Sequence, residues 1–515
     1  MVRKAEEGLQ FTLKYKDFVT EKGFARLHDL SKEKIAKGVL ETYKIRRTRE
    51  DVGTEFVNDL FQMRTELNSN INQRNNLSKE VIRESVQRIL DRFVVIRVAE
   101  DRGVIHADSL SRLVQSWNET AINKNFRTLM KDLKNLFRDL DFNYNSKLFE
   151  EHACEDLKID NDYIEKSIQT LYNYNFDLID ADVLGAIYED YIGHILEEKK
   201  SELGIVEDYA TRKKEGIYYT KIPIVEYLVK KVTREVLHNC KDINEIQNIK
   251  ILDPSCGSGS FLIKAFDQVE HHYNLYNLKL TKEIKKKGAD LSLSHYQGLI
   301  SHIKNKVLTE NIFGVDNDQQ ATEIAAVNLM LKTLTIGEKL PIILGKNIKY
   351  GNSLVDDPSY ESNALIWERD FQEIISAGGF DIVLGNPPWG SDLSKWKDYI
   401  EAKYDLAKGQ YDSYELFIEL SKRILKKNGI WGFVIPDSIF LPEHQRLREF
   451  LSKNMKLLLL VKLGEGFFDV FRASALVVFQ NSQADENHNV KAFTLSELLA
   501  AFAASISKKL TFTHS

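Results

Sequence analysis

Proline is missing from the first 222 residues; the first in the chain is Pro223. A segment without proline lacks the strongest helix breaker. Cysteine is also scarce. The three, Cys154, Cys240 and Cys256, have no metal-like spacing, which excludes a disulfide framework and fits a reducing cytoplasm. No apolar run reaches membrane-spanning length, and the start Met1-Val-Arg-Lys-Ala-Glu-Glu has no apolar leader core, so no membrane partner is expected. Positive charge is not in excess either. The net charge is −5, so any nucleic-acid contact must come from a local basic face and not a global field. There is no internal repeat and no low-complexity tract. What is present is an ordinary globular composition, 29% charged and 43% hydrophobic, over 515 residues. That length predicts more than one domain.

Residues 1–200 read as an all-helical domain. The stretch from Ser78 to Asp101 carries apolar residues at helical spacing, with Ser78 as N-cap and Gly103 as the stop. Segments near 110–120, 124–140, 162–174 and 181–200 look similar. Lys32, Lys34, Lys37, Lys44, Arg46, Arg47 and Arg49 form a charge run. It reads either as a solvated face or as a phosphate-contacting patch. The charged stretch Glu197 to Lys214 is a linker.

From residue 216 strands alternate with helices. Ile249 to Leu262 (Ile-Lys-Ile-Leu-Asp-Pro-Ser-Cys-Gly-Ser-Gly-Ser-Phe-Leu) reads as strand, tight turn and helix start. Gly257 and Gly259 let a ligand approach the backbone at the new helix N-terminus. The third glycine of a dinucleotide fingerprint is replaced by Leu262, and no Gly-Lys-Ser/Thr follows, so neither a nicotinamide site nor a Walker loop is expected. Cys256 has no His near it in sequence and reads as a small packing residue. Asn311 to Asp316 is a second strand ending in an acid. Asp316 is placed to accept both hydroxyls of a ribose, or simply to cap the helix Gln319 to Thr333. Lys346 to Leu354 is a third strand ending in Asn352-Ser353, where Asn352 either meets an adenine ring or turns the chain.

Phe380-Asp-Ile-Val-Leu-Gly-Asn-Pro-Pro-Trp389 is a fourth strand running into a stiff loop. The loop offers the Asn386 amide oxygen, the Pro387 carbonyl and the flat ring of Trp389. Two acceptors beside a ring suit a planar heterocycle with an exocyclic amino group. The competing reading is a cis-proline turn with a packing Trp. Further on come a helix (Tyr411 to Lys427), a strand (Gly429 to Pro436), a helix (Glu443 to Asn454) and two strands (Met455 to Leu463, Ser474 to Phe479). The whole is an α/β fold, a doubly wound Rossmann-like sheet over residues 201–485. Its marked loops all fall at strand carboxyl ends, where ligands bind. Residues 486–515 are read as a short tail, with Lys491 to Ser515 an Ala/Leu/Phe helix and a polar end.

Asp253-Pro-Ser-Cys-Gly-Ser-Gly-Ser-Phe, the acid Asp316, Asn352-Ser353 and Asn386-Pro387-Pro388-Trp389, in that order, resemble the N6-adenine DNA methyltransferases. Gly216-Ile-Tyr-Tyr-Thr220 before the glycine loop is the order of their gamma class. Arg97-Val-Ala-Glu-Asp-Arg-Gly103 and Leu184-Gly-Ala-Ile-Tyr-Glu189 resemble type IIG restriction–modification enzymes, and the resemblance spans roughly residues 50–480. Three departures stand out. Lys221 replaces the usual Pro after Tyr-Thr. The family's nuclease pattern, Pro-Asp…Asp/Glu-x-Lys, is not recognisable. No target-recognition domain follows residue 490.

The resemblance implies S-adenosylmethionine as methyl donor. Thr220, Asp253, Ser255, Gly257 and Gly259 would surround its methionine and sugar parts, Asp316 the ribose, and Asn352 and Ser353 the adenine end. It implies double-stranded DNA as substrate, with the target adenine flipped out of the helix. Asn386 and Pro387 would bond N6, Pro388 would stiffen the loop, Trp389 would stack on the base, and Phe440 would pack from the other side. A cytosine-C5 enzyme needs a Pro-Cys pair, which is absent. RNA or protein-glutamine methyl transfer, or a non-catalytic DNA-binding subunit, stay open as alternatives. A separate target-recognition polypeptide is expected as partner, and the chain alone should methylate slowly and not cut DNA.

Overall fold

The computed structural model describes residues 49–119, 128–144, 147–176, 220–240, 242–286, 302–335, 338–464, 473–485 and 487–494. The basic run Lys32 to Arg47, the segment 181–200 and the Leu184 motif lie outside them. The chain divides into two compact units, residues 1–187 with 334–339, and residues 188–333 with 340–515.

The first unit is helical. Arg49–Arg74, Lys79–Asp101, Ser109–Glu119, Leu129–Tyr144 and Asn161–Leu171 are its main helices. Ser78 caps the second, its side chain accepting from the Val81 N–H, and Gly103 ends it at φ +68°. That helix is unusual in burying ionic groups as well as apolar ones. Arg92 binds Glu155 at 2.7 Å and also donates to the Leu148 and Glu150 carbonyls. Arg97 grips Glu100 and, at 2.7 Å, Asp101, with its guanidinium 4.0 Å from the Tyr172 ring centre. Tyr172 donates to Glu100 at 2.8 Å, and Glu100 also accepts the Leu110 N–H at 2.8 Å. Breaking a buried pair leaves a charge without compensation. Arg97→Lys keeps the charge but loses the fork that reaches two carboxylates at once. We expect it to cost about 1–3 kcal/mol, the desolvation penalty of one orphaned group. Hydrogen exchange across Lys79–Asp101 reads the loss directly; protection equal to wild type would refute it.

The second unit holds an eight-stranded sheet. In chain order the strands are β1 (Ile251–Asp253), β2 (Ile312–Asp316), β3 (Ile348–Tyr350), β4 (Phe380–Gly385), β5 (Leu425–Pro436), β6 (Lys456–Gly464), β7 (Ser474–Gln480) and β8 (Lys491–Thr494). Their spatial order is β3-β2-β1-β4-β5-β7-β6-β8. The strands β3 to β5 in that order are parallel, and β7 runs antiparallel between β5 and β6. Strand order reverses between β1 and β4, which is the switch point where open α/β sheets bind ligands. This unit's main helices are Ile222–Leu237, Ser260–Lys286, Gln319–Thr333, Ser413–Ile424 and Gln445–Asn454.

The central strands β1 and β4 are short apolar runs buried on both faces, as a covered parallel sheet requires. Ile222–Leu237 lies so close to β5 that a methyl group on Gly432 would come within 2.5 Å of Val232 and 2.8 Å of Leu228. Phe313, Trp367, Phe371 and Phe380 pack ring against ring around the ends of β2 and β4.

Two sequence expectations are corrected. The helix expected over Tyr411 to Lys427 ends at Ile424, because Leu425 already pairs with Phe380 as the start of β5. Lys491–Thr494 is not the start of a helical tail but a strand, β8, paired in parallel with β6 from Leu459↔Lys491 to Lys462↔Thr494. The unpaired edge of β6 supplies backbone partners that a short Lys-Ala-Phe-Thr helix would lack, and this tertiary pairing overrides local propensity. Residues 495–515 lie outside the described part.

Candidate active site

Parallel neighbours bring four chain ends to one edge. In register, Asp253 faces Gly314, Asp316 faces Tyr350, and Leu252 faces Val383, so Gly385 emerges beside Asp253. The glycine turn rises from β1. Gly257 has φ +51° with open space where a Cβ would project, and Gly259 has φ +89° with Ala325 3.3 Å from that position. A side chain at Gly257 would occupy the space in front of the helix Ser260–Lys286.

The Asp316 carboxylate is bound on both oxygens. The Gly257 N–H donates to Oδ2 at 2.8 Å and the Asp318 N–H to Oδ1 at 2.9 Å. Burial raises its pKa to about 6, although those N–H donors pull the other way. Asp253 is buried, and its Oδ1 accepts the Ser255 N–H at 3.0 Å. The Ser255 hydroxyl is buried without a hydrogen-bond partner among the described residues. A buried hydroxyl in that condition is where a bound molecule would find a partner. Cys256 is buried, and burial pushes its thiol well above the usual range. Its sulfur lies 3.0 Å from where Gly314 would carry a Cβ, so it packs against β2 as a neutral thiol.

Asn352 and Ser353 are both buried. The Asn352 Oδ1 accepts the Leu354 N–H at 3.0 Å, which turns the chain after β3. The Ser353 hydroxyl donates to the Pro254 carbonyl at 2.6 Å and so ties the β3 end to the β1 end.

Gly385 has φ +151°, and a Cβ there would lie 2.5 Å from Asp253 Oδ1. The strand exit into the Asn386 loop therefore rests on the Asp253 carboxylate. Gly385→Ala should cost at least about 2 kcal/mol through strain and overlap. Thermal unfolding checks this, and an unchanged midpoint would contradict it. The Asn386 Nδ2 donates to Thr220 Oγ1 at 3.1 Å. With its nitrogen committed to Thr220, the amide presents oxygen as its acceptor. Thr220, expected near the donor, is thus joined directly to Asn386. Trp389 is fully buried and part of the sheet's apolar core, whereas Phe440 is 43% exposed beyond β5. Lys221 is exposed and stands at the N-cap of the helix Ile222–Leu237, with Pro223 in its first turn.

Two residues that sequence reasoning did not single out grip the same loop. Asp412 Oδ1 accepts the Gly390 N–H at 2.6 Å, and the Ser413 hydroxyl donates to the Pro388 carbonyl at 2.6 Å. Their signal was present as Asp412-Ser-Tyr-Glu415, a helix-start pattern.

Residues 310–471 match the family model of the Eco57I restriction-modification methylase. Over 418 residues the chain is 32% identical to the type II restriction enzyme and methyltransferase RM.Eco57I of Escherichia coli, covering 76% of this chain and 40% of that protein. The chain is a relative of the Eco57I-type restriction-modification methylases. It is also 22% identical, over 269 residues, to the type I restriction enzyme EcoEI methylase subunit of Escherichia coli, covering 52% of this chain and 42% of that one. The chain spans less than half the length of these two curated relatives. Among solved structures, the type IIL restriction-modification enzyme MmeI, solved in complex with DNA, superposes with a TM-score of 0.59 at 16% identity, covering 83% of this chain and 57% of that one. That likeness concerns the fold. The Eco57I-type match begins just before β2 and ends after β6, so it takes in Asp316, Asn352 and the Asn386 loop but not the glycine turn.

Proposed function

We propose that the chain transfers a methyl group from S-adenosylmethionine to N6 of an adenine flipped out of duplex DNA, within a restriction–modification system. The observation that carries this reading is the convergence at the β1–β4 switch point. Asp316 on β2, the glycine turn after β1 and the Asn386 loop after β4 share one sheet edge, with Asn386 bonded to Thr220 and Gly385 lying against Asp253.

The residues fit the donor. Asp316 would accept the ribose hydroxyls, the Ser255 hydroxyl would gain a partner, the open space at Gly257 would admit the ligand against the backbone, and Asn352 would donate through its NH2 to the adenine ring. The bound donor supplies an electrophilic methyl on a sulfonium. The protein's task is then positioning. An adenine amino group is a poor nucleophile because its lone pair is delocalised into the ring. Hydrogen bonds from N6–H to the Asn386 oxygen and the Pro387 carbonyl localise that pair toward the methyl group and disperse the charge that develops on nitrogen. Pro388 keeps the loop stiff. No covalent intermediate is needed. We assign the reading of the DNA sequence to a partner polypeptide. One relative is by name a methylase subunit, and a net charge of −5 gives little general affinity for phosphates.

The test is purified chain with labelled S-adenosylmethionine and unmethylated duplex DNA of random sequence, RNA or peptide, followed by nucleoside mass spectrometry. N6-methyladenine in DNA is expected. Label confined to RNA or peptide would overturn the DNA assignment. Donor binding with no transfer, even with a recognition subunit added, would favour a non-catalytic role.

A further inference from the structure

The Asn386 loop is also held by the start of a helix, whose cap Asp412 is half-buried and whose first residue Ser413 is buried. The helix Ser413–Ile424 begins at Asp412. Asp412 Oδ1 accepts the Gly390 N–H at 2.6 Å. Ser413 Oγ donates to the Pro388 carbonyl at 2.6 Å and accepts the Ser391 N–H at 3.2 Å. A hydroxyl has one proton and can accept as well, so both contacts can hold together. Three backbone groups on either side of Trp389 are thereby fixed by two adjacent side chains, and Ser413 is only 1% exposed. The cap is itself braced. Glu415 Oε1 accepts the Asp412 N–H at 3.2 Å, and His444 Nδ1 lies 2.9 Å from that same oxygen. A helix start needs only its own first N–H groups capped. Here the cap side chains reach out to a different segment, which capping alone does not require.

We infer that Asp412 and Ser413 are positioning residues for methyl transfer: they lock the backbone from Pro388 to Ser391 so that Asn386 and Pro387 stay in register with the donor. This rests on the proposed function, because only a reaction at that loop gives the lock a consequence for rate. Neither residue touches a reacting atom. Their removal should leave the donor site intact, since none of their contacts reaches Asp316, Gly257 or Ser255.

The experiment compares Asp412→Ala, Ser413→Ala and Asp412→Asn in the full chain, with three readouts. The first is the Trp389 fluorescence component, isolated by subtracting the same protein carrying Trp389→Phe. The second is single-turnover methyl transfer to the random-sequence duplex pool, and the third is donor affinity by calorimetry. In both alanine variants the Trp389 emission should shift to the red and become accessible to acrylamide. Transfer should slow by about 10- to 100-fold, the scale of a small misplacement at a reacting centre. Donor affinity should stay within about twofold, since neither side chain bonds to a residue of the proposed donor site. Asp412→Asn keeps an acceptor for Gly390 and should behave like wild type. A Trp389 signal unchanged in both alanine variants would overturn the inference, as would donor affinity falling in step with rate. If Asp412→Ala does not fold, Ser413→Ala decides alone, because it removes the Pro388 and Ser391 contacts and beyond them only the hydroxyl's bond to Asp412 Oδ1. If wild type transfers nothing to DNA even with a recognition subunit added, the proposed function falls, and the Trp389 signal still decides whether the cap holds the loop.

Discussion

Asn386→Ala should bind S-adenosylmethionine as wild type does and transfer its methyl group at least about 100-fold more slowly. Removing one preorganised polar partner from a developing charge typically costs two to three orders of magnitude in rate. The structure gives a reason for the split between rate and binding. Asn386 is bonded to Thr220 and sits after Gly385, whereas the Asp316 carboxylate is held by Gly257 in the turn after β1 and by Asp318 just past β2. Truncating the amide leaves the Asp316 contacts untouched. A loss confined to transfer marks an interaction made in the transition state. The measurement pairs calorimetry for the donor with single-turnover transfer to duplex DNA. A variant transferring at the wild-type rate would place the chemistry elsewhere. A variant that loses donor affinity and rate together would mean that Asn386 shapes the donor site instead.

Much of this was legible in the sequence because the signals were local. Alternating strands and helices, a Gly-x-Gly turn, an acid closing a strand and a double proline each report on their own few residues. The helix Gln319–Thr333 has the bounds read for it along the sequence. What escaped was set by partners far away in sequence. The strand β8 exists because β6 offers an edge, which four residues of Lys-Ala-Phe-Thr cannot announce. The resemblance puts Ser353 at the adenine end of the donor, and the tie from its hydroxyl to the Pro254 carbonyl, 99 residues away, is not written beside it. Trp389 suggested a stacking platform from its place beside two prolines, and the fold buries it completely. Asp412 and Ser413 looked like an ordinary helix start; only the return of the chain beside β4 gives them a second task. Short-range chemistry is written in order along the chain, and long-range pairing is not.

Asp316 carries the second large effect, and it comes with a pH signature. Asp316→Ala removes an acceptor for two ribose hydroxyls, each bond to a charged group being worth roughly 1.5–3 kcal/mol. Donor affinity should therefore fall by about two orders of magnitude or more. In the wild type the same loss should appear on acidification. Burial raises the Asp316 pKa from the ordinary 3.8 to about 6. The ribose hydroxyls need the ionised carboxylate as acceptor, so affinity should be flat above pH 6 and weaken by up to tenfold per unit below it. Stability has the opposite sign. A carboxyl whose folded pKa exceeds its unfolded value binds its proton more tightly in the native state. Burying the charge costs stability above pH 6, and that cost is relieved as pH falls toward 3.8. Between pH 6 and pH 4 the Asp316 contribution should thus favour the fold while disfavouring the donor. Subtracting the same titrations of Asp316→Asn, which cannot ionise there, isolates this group from every other carboxylate. Donor affinity that runs parallel in wild type and Asp316→Asn from pH 8 to pH 5 would remove Asp316 from the ribose site.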